Sequence, residues 1–178
     1  MALIAGSSSA QIALDFAIAN PALVQQILLV SPIVAGAPPA DPMAARIAAN
    51  NAPLASGDVA GAVNNWVSDR YIVAGPNRRA RARLRAVLES SPQNLTHADQ
   101  PSPPITALLN RIQAPVQILS GARDVPEVIA HSQSLERMIP GAIRAPVQGS
   151  GHLIYIDEPE IFAAAAIAFI RSWQSRDP

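Results

Sequence analysis

The chain has no cysteine, so disulfide bonds, thiolate nucleophiles and cysteine-ligated zinc are excluded. Aromatic residues make up only 4% of the 178 residues. A core must therefore be assembled mainly from Ala, Val, Ile and Leu, which a chain that is 49% hydrophobic supplies in quantity. Net charge is also missing: 13 Lys and Arg balance 13 Asp and Glu, which leaves no overall field to draw the protein toward nucleic acid or an acidic membrane. No apolar run is long. "IFAAAAIAFI" near the C-terminus is too short to span a bilayer. The N-terminus lacks the basic start of a secretory signal, and Asp15 interrupts its apolar stretch. These absences point to a soluble, cytoplasmic protein of one domain, or of one domain carrying an insertion.

What is present is an alternation of strands and helices. "MALIA" reads as a short apolar strand punctuated by "GSSS". Residues 9–20 are helical in pattern, with only Gln11 and Asp15 polar at a four-residue spacing, so this helix is expected to be buried on most sides. Asn20-Pro21 stops it, and "VQQILLVSP" follows, whose continuous apolar run suits a parallel strand covered on both faces. Prolines at 38, 39 and 42 then open a section that prolines at 101, 103 and 104 close. Between them lie helical patterns at 43–51, 58–71 and 79–90, with Ser56 or Asp58 as a cap for the second, and no strand. The alternation resumes with the strand "PVQILSG", the helix "VPEVIAHSQSLERMI" and the strand "AIRAPVQGSGH", in which Pro146 argues for the edge of a sheet. A last helix starts at Pro159 and carries Phe162, Ala166, Phe169, Ile170 and Trp173 at helical spacing. The expected fold is α/β: a mainly parallel sheet built from residues 1–35 and 105–178, with a helical cap over 36–104.

Three serines stand in a row at the strand-to-helix turn. A serine presented on a tight turn needs small residues two positions before and after it, and Gly6 and Ala10 supply them for Ser8. Ser7 and Ser9 then read as bystanders, with the Ser9 backbone N–H a candidate oxyanion donor. A serine nucleophile needs a base, and the base needs an orienting acid. Asp124 falls just beyond one strand, and His152 just beyond the last, in that chain order. Asp99 and Asp157 are the other acids to weigh, but neither directly follows a strand of the expected type. His97 and His131 read as surface residues. The run "RRARARLR" puts five arginines in eight positions around a helix without aromatics to stack on bases, so a solvated helix face is expected in place of a nucleic-acid site. Trp66 and Tyr71 on the preceding helix are candidates to line a pocket, with core packing the favoured alternative.

The segments "GSSSAQIALDFAIANPALVQQILLVSP", "APVQILSGARDVP" and "GSGHLIYIDEPEIFAAAAIAFI" resemble the α/β-hydrolase fold superfamily, in the branch with a helical cap. The resemblance covers residues 2–35 and 105–173 and implies a triad of Ser8 as nucleophile, His152 as general base and Asp124 as its orienting acid. It implies no cofactor and no metal. Its substrates would be esters or related carbonyl compounds held between cap and strand ends. Two departures stand out: Ala10 in place of the usual glycine, and Gln11, whose side chain would intrude on the turn or serve the substrate. In this superfamily further strands and the loop donating the second oxyanion N–H precede the serine, whereas here only five residues precede Gly6. The chain therefore reads as an N-terminally truncated member. Residues 2–5 are expected to form an exposed edge strand, suited to pairing with a second copy or with a separately supplied first half. The rival expectation is a catalytically silent fragment or a partner-binding half. Oxidation or carbon–carbon cleavage on the same triad shares every residue and is not separated by the sequence.

Overall fold

The computed structural model describes residues 1–96 and 103–174. His97, Asp99 and Pro101 lie outside the described residues, as does the side chain of Trp173. Four strands, β1 (Ala2–Gly6), β2 (Gln26–Val30), β3 (Val116–Gly121) and β4 (Ile143–Val147), form one sheet in the order β1-β2-β3-β4. Every neighbouring pair is parallel, with Gly6 opposite Val30 and Gly121 opposite Val147. β2 and β3 are central, and β2 is buried along its whole length, as its unbroken apolar run demands. β4 lies at the edge, where Pro146 removes no needed ladder donor.

Side-chain alternation divides the central strands between two layers. Ile27, Leu29, Val116 and Ile118 pack against α1 (Ser9–Ala19), through Ala10, Ala13, Leu14 and Ala17. Leu28, Val30 and Leu119 face the opposite layer.

Between β2 and β3 the chain is helical: α2 (Ala44–Asn51), α3 (Val59–Ser68), α4 (Arg78–Ser90) and α5 (Gln93–Thr96). These helices have a core of their own, made of residues such as Val63, Ile72, Leu84 and Leu88, and it closes on Val125 and Val128. Asp58 caps α3 by accepting the Gly61 N–H at 2.7 Å, whereas Ser56 turns away to donate to the Pro53 carbonyl. Asn77 caps α4 in the same manner, from Ala80 N–H. The arginine-rich helix is not merely solvated. Arg81 folds inward and donates to the carbonyls of Val67, Val73 and Gly75, which satisfies the end of α3 and the loop after it. After β3 come α6 (Pro126–Met138), the single turn α7 (Ile154–Asp157) and α8 (Pro159–Gln174). The α8 residues Phe162, Ala166 and Phe169 cover the second layer.

Two expectations are corrected by this packing. Gln11, taken for the exposed stripe of α1, is buried, while Ile12 is 70% exposed and Phe16 is also at the surface. The Gln11 amide accepts the Ala35 N–H at 2.9 Å and donates to the Pro103 carbonyl at 3.2 Å, joining both ends of the helical segment to α1. His131 is fully buried on α6 instead of lying at the surface. Its Nε2 accepts the Val34 N–H at 2.9 Å and its Nδ1–H donates to the Pro39 carbonyl at 3.0 Å, a pairing that only the neutral ring can make. Burial lowers its pKa from 6.5, against the pull of the carbonyls of Pro39 and Ala37.

Candidate active site

β1 runs through Gly6, and the turn falls on Ser7, at φ 52°, where a residue with a side chain is strained. Its N–H donates to the Val30 carbonyl at 2.9 Å, and its carbonyl accepts from Ile33 and Ala10. Ser8 follows in ordinary helical geometry, φ −63°, ψ −24°, as the N-cap residue of α1. The serine presented at the turn is therefore one position earlier than expected. Around Ser7 the small residues at two-residue offsets are Ala5, which is buried, and Ser9. The Ser9 hydroxyl bends back to donate to the Gly6 carbonyl at 2.6 Å. The peptide N–H after the turn residue consequently belongs to Ser8 and not to Ser9.

The ring of His152 stands across from this turn, with Nε2 3.0 Å from Ser7 Oγ. Its Nδ1–H donates to Asp124, 3.0 Å from Oδ2 and 3.2 Å from Oδ1. That donation fixes the tautomer, leaving Nε2 to accept the Ser7 O–H. Both His152 and Asp124 are buried. Asp124 Oδ1 also accepts the Val125 N–H at 2.7 Å, so the carboxylate is anchored at the start of α6. The structure brings Asp124 and His152 together, and the serine that meets the imidazole is Ser7, where the sequence reading had placed Ser8.

Two glycines allow the crossing of the acid and histidine loops. A Cβ on Gly121 would lie 2.1 Å from the Gly151 carbonyl oxygen, and one on Gly151 would lie 2.5 Å from the Tyr71 carbonyl oxygen. At that crossing the His152 N–H donates to the Tyr71 carbonyl at 2.7 Å. Asp157, weighed as an alternative acid, is buried away from the imidazole and accepts the backbone N–H groups of Gly151 and Ala74.

A cavity of about 330 Å³ opens over Ser7 and His152 between the strand ends and the helical segment. Trp66 lines it, beside Met43, Leu88 and Leu95, while also packing against the core of the helical segment. Tyr71 does not. Its ring packs between the guanidinium groups of Arg46, at 4.4 Å, and Arg70, at 4.8 Å, and its carbonyl is the part that serves the site. Arg46 also pairs with Asp69 at 2.7 Å. Burial would raise the Asp69 pKa, but bonds from Arg46, Tyr71 N–H and Asn50 prevail and hold it below 3.8. The aromatic residue that the sequence reading missed is Tyr155, which follows His152 by three residues, lines the cavity and packs edge-on to Phe162. Partial burial of this residue, which stays 41% exposed, raises its pKa above 10.0. A second cavity, of about 270 Å³, lies at the opposite ends of the strands beside Gln26, Val116 and Phe169, and none of its described lining residues is titratable.

Among the described residues, no cluster of three or more His, Asp or Glu is placed to hold a metal ion, and no helix is long and apolar enough to cross a membrane.

A parallel sheet with helices on both faces, a strained serine between the first strand and helix, and acid and histidine at later strand ends define the α/β-hydrolase fold, present here in part. The comparisons agree on the fold. No family model and no curated protein matches the chain. Among solved structures it is similar to an esterase from Rhodococcus sp. ECU1013, with a TM-score of 0.73 and 21% identity over 96% of this chain and 65% of that one. It is similar to MenH from S. aureus, with a TM-score of 0.72 and 20% identity over 97% of this chain and 68% of that one. It also resembles an enzyme that degrades N-acyl homoserine lactones, with a TM-score of 0.69 and 20% identity over 94% and 66% of the two chains. The chain thus spans about two thirds of the length of the structures it matches.

Proposed function

We propose that this chain carries the catalytic triad of a serine hydrolase, with Ser7 as nucleophile, His152 as general base and Asp124 holding the imidazole. The observation that supports it is the 3.0 Å contact of Ser7 Oγ with His152 Nε2, at a residue held in strained backbone geometry. In this reading Ser7 attacks the carbonyl carbon of an ester or related substrate while His152 takes its proton. The tetrahedral oxyanion lies against the Ser8 N–H at the head of α1. His152 then protonates the leaving alcohol, and water repeats the sequence to release the acid. The helical segment 36–104 serves as a cap over the cavity, and no cofactor takes part.

The direct test is intact-mass detection of a fluorophosphonate adduct, which forms on a serine made nucleophilic by its surroundings. The expected result is an adduct on the wild type and on Ser8→Ala, and none on Ser7→Ala or His152→Ala. An adduct that persists in Ser7→Ala and disappears in Ser8→Ala would restore Ser8 as the nucleophile. A folded wild-type chain that gives no adduct would overturn the reading.

One observation favours a second reading, a chain that extends its sheet by pairing. β1 is an edge strand, and Ile4 on it and Ile12 on α1 are exposed, a combination that templates association with a second copy or with a segment supplying further strands.

A further inference from the structure

We propose that the Ser7 cavity selects neutral substrates with an apolar tail and rejects those carrying a carboxylate or phosphate remote from the reacting carbonyl; this rests on the hydrolase reading above. The cavity wall opposite Ser7 and His152 is made of Met43, Ile47, Trp66, Leu84, Leu88 and Leu95, and none of the described lining residues is charged. Two asparagines also line it: Asn94 is exposed, and the Asn51 amide is spent, its Oδ1 accepting the Trp66 indole N–H at 2.7 Å and its Nδ2 donating to the Leu95 carbonyl at 3.0 Å. The amide thus braces the indole as a wall and leaves little capacity to receive a substrate anion.

Four arginines of the helical segment are turned to other work. Arg46 is paired with Asp69 and Arg85 with Glu89. Arg81 is bound to three backbone carbonyls, and Arg83 donates to the Ile156 carbonyl at 3.4 Å. An anion entering the cavity would lose water and meet no cation among the described lining residues, a transfer that is strongly unfavourable, whereas an alkyl tail gains on burial. A volume of about 330 Å³ suits a tail of moderate length.

The test separates binding from chemistry. In the double variant Ser7→Ala, Trp173→Phe, Trp66 is the only tryptophan, and its emission reports occupancy of the cavity. Dimethyl suberate and monomethyl suberate have the same chain and differ in one carboxylate. Dimethyl suberate is expected to shift the Trp66 emission at concentrations at least about tenfold lower than monomethyl suberate. Val87 lines the cavity while remaining 45% exposed, so Val87→Arg can be introduced with little effect on packing and should narrow or invert that preference. Equal binding, tighter binding of monomethyl suberate, or no response to dimethyl suberate up to its solubility would overturn the proposal. Failure of the hydrolase reading would look different: no fluorophosphonate adduct on the wild type, with the binding preference intact.

Discussion

The Asp157 carboxylate accepts the Gly151 N–H at 2.9 Å, and the same Oδ2 accepts the Ala74 N–H at 2.7 Å. One buried side chain thereby ties the loop that carries His152 to the segment that joins α3 to α4. Asn77 reinforces the joint by donating to the Asp157 carbonyl at 3.0 Å. The placement of the imidazole thus depends on an acid that never touches it.

Replacing that acid should be costly. Asp157→Ala leaves two buried N–H groups without acceptors, for a destabilisation of roughly 2–4 kcal/mol. Urea unfolding would show this as a lower midpoint with an unchanged slope. Fluorophosphonate labelling of Ser7 at a temperature where the variant is still folded should slow, because the His152 loop is loosened.

Gly121 and Gly151 should tolerate no side chain. Gly121→Ala places a Cβ against backbone that has no freedom to swing aside, since Gly151 is itself held by Asp157 and lies against Tyr71. Overpacking of this kind typically costs about 1–3 kcal/mol, and the relief available is a shift of the histidine loop. The expected outcome is near-native circular dichroism with Ser7 labelling reduced by at least about tenfold. Unimpaired labelling of a stable Gly121→Ala protein would show that the crossing is looser than its geometry implies.

Gln11→Ala should free both ends of the helical segment at once. It leaves the Ala35 N–H and the Pro103 carbonyl without their side-chain partner, at a cost of about 1–3 kcal/mol. Limited proteolysis should cut the variant faster near residues 35 and 103 while sites within α6 stay protected. Uniformly faster cutting along the chain would point to general loosening and not to a hinge.

His131 predicts a pH dependence with a definite sign. Its folded pKa lies below the unfolded value of 6.5, so the unfolded chain takes up the proton first as pH falls. The stabilisation is fully present above pH 6.5 and is lost progressively below it, down to the folded pKa. Urea midpoints at neutral pH and at mildly acidic pH should differ in that direction. In His131→Gln the part of the slope due to this ring should vanish.

The apolar edge should show itself in association. Ile12→Lys puts a charge on the exposed side of α1, and Ile4→Lys puts one on the edge strand. Light scattering should find either variant shifted toward the monomer relative to the wild type. A wild type that is already monomeric at high concentration would remove the pairing reading.

Much of the architecture was determined by local pattern. An unbroken apolar run such as Ile27 to Val30 is stable only when covered on both faces, and Pro146 suits only an edge, so the parallel sheet and its margin follow from composition along the chain. The places of Asp124 and His152 beyond β3 and β4 were legible because each strand is bounded by a turn signal in the local sequence. The serine was not. "AGSSS" and "GSSSA" both place small residues around a central serine, and only the pairing of β1 with β2, Gly6 opposite Val30 and the Ser7 N–H on the Val30 carbonyl, decides which residue takes the turn. Gln11 and His131 were misread for a related reason. Each is polar and each is buried, and its burial is made tolerable by backbone partners 24 to 97 residues away that no local window contains. Local pattern determined which elements form; the register between strands and the long-range partners of buried polar groups decided which hydroxyl faces the histidine.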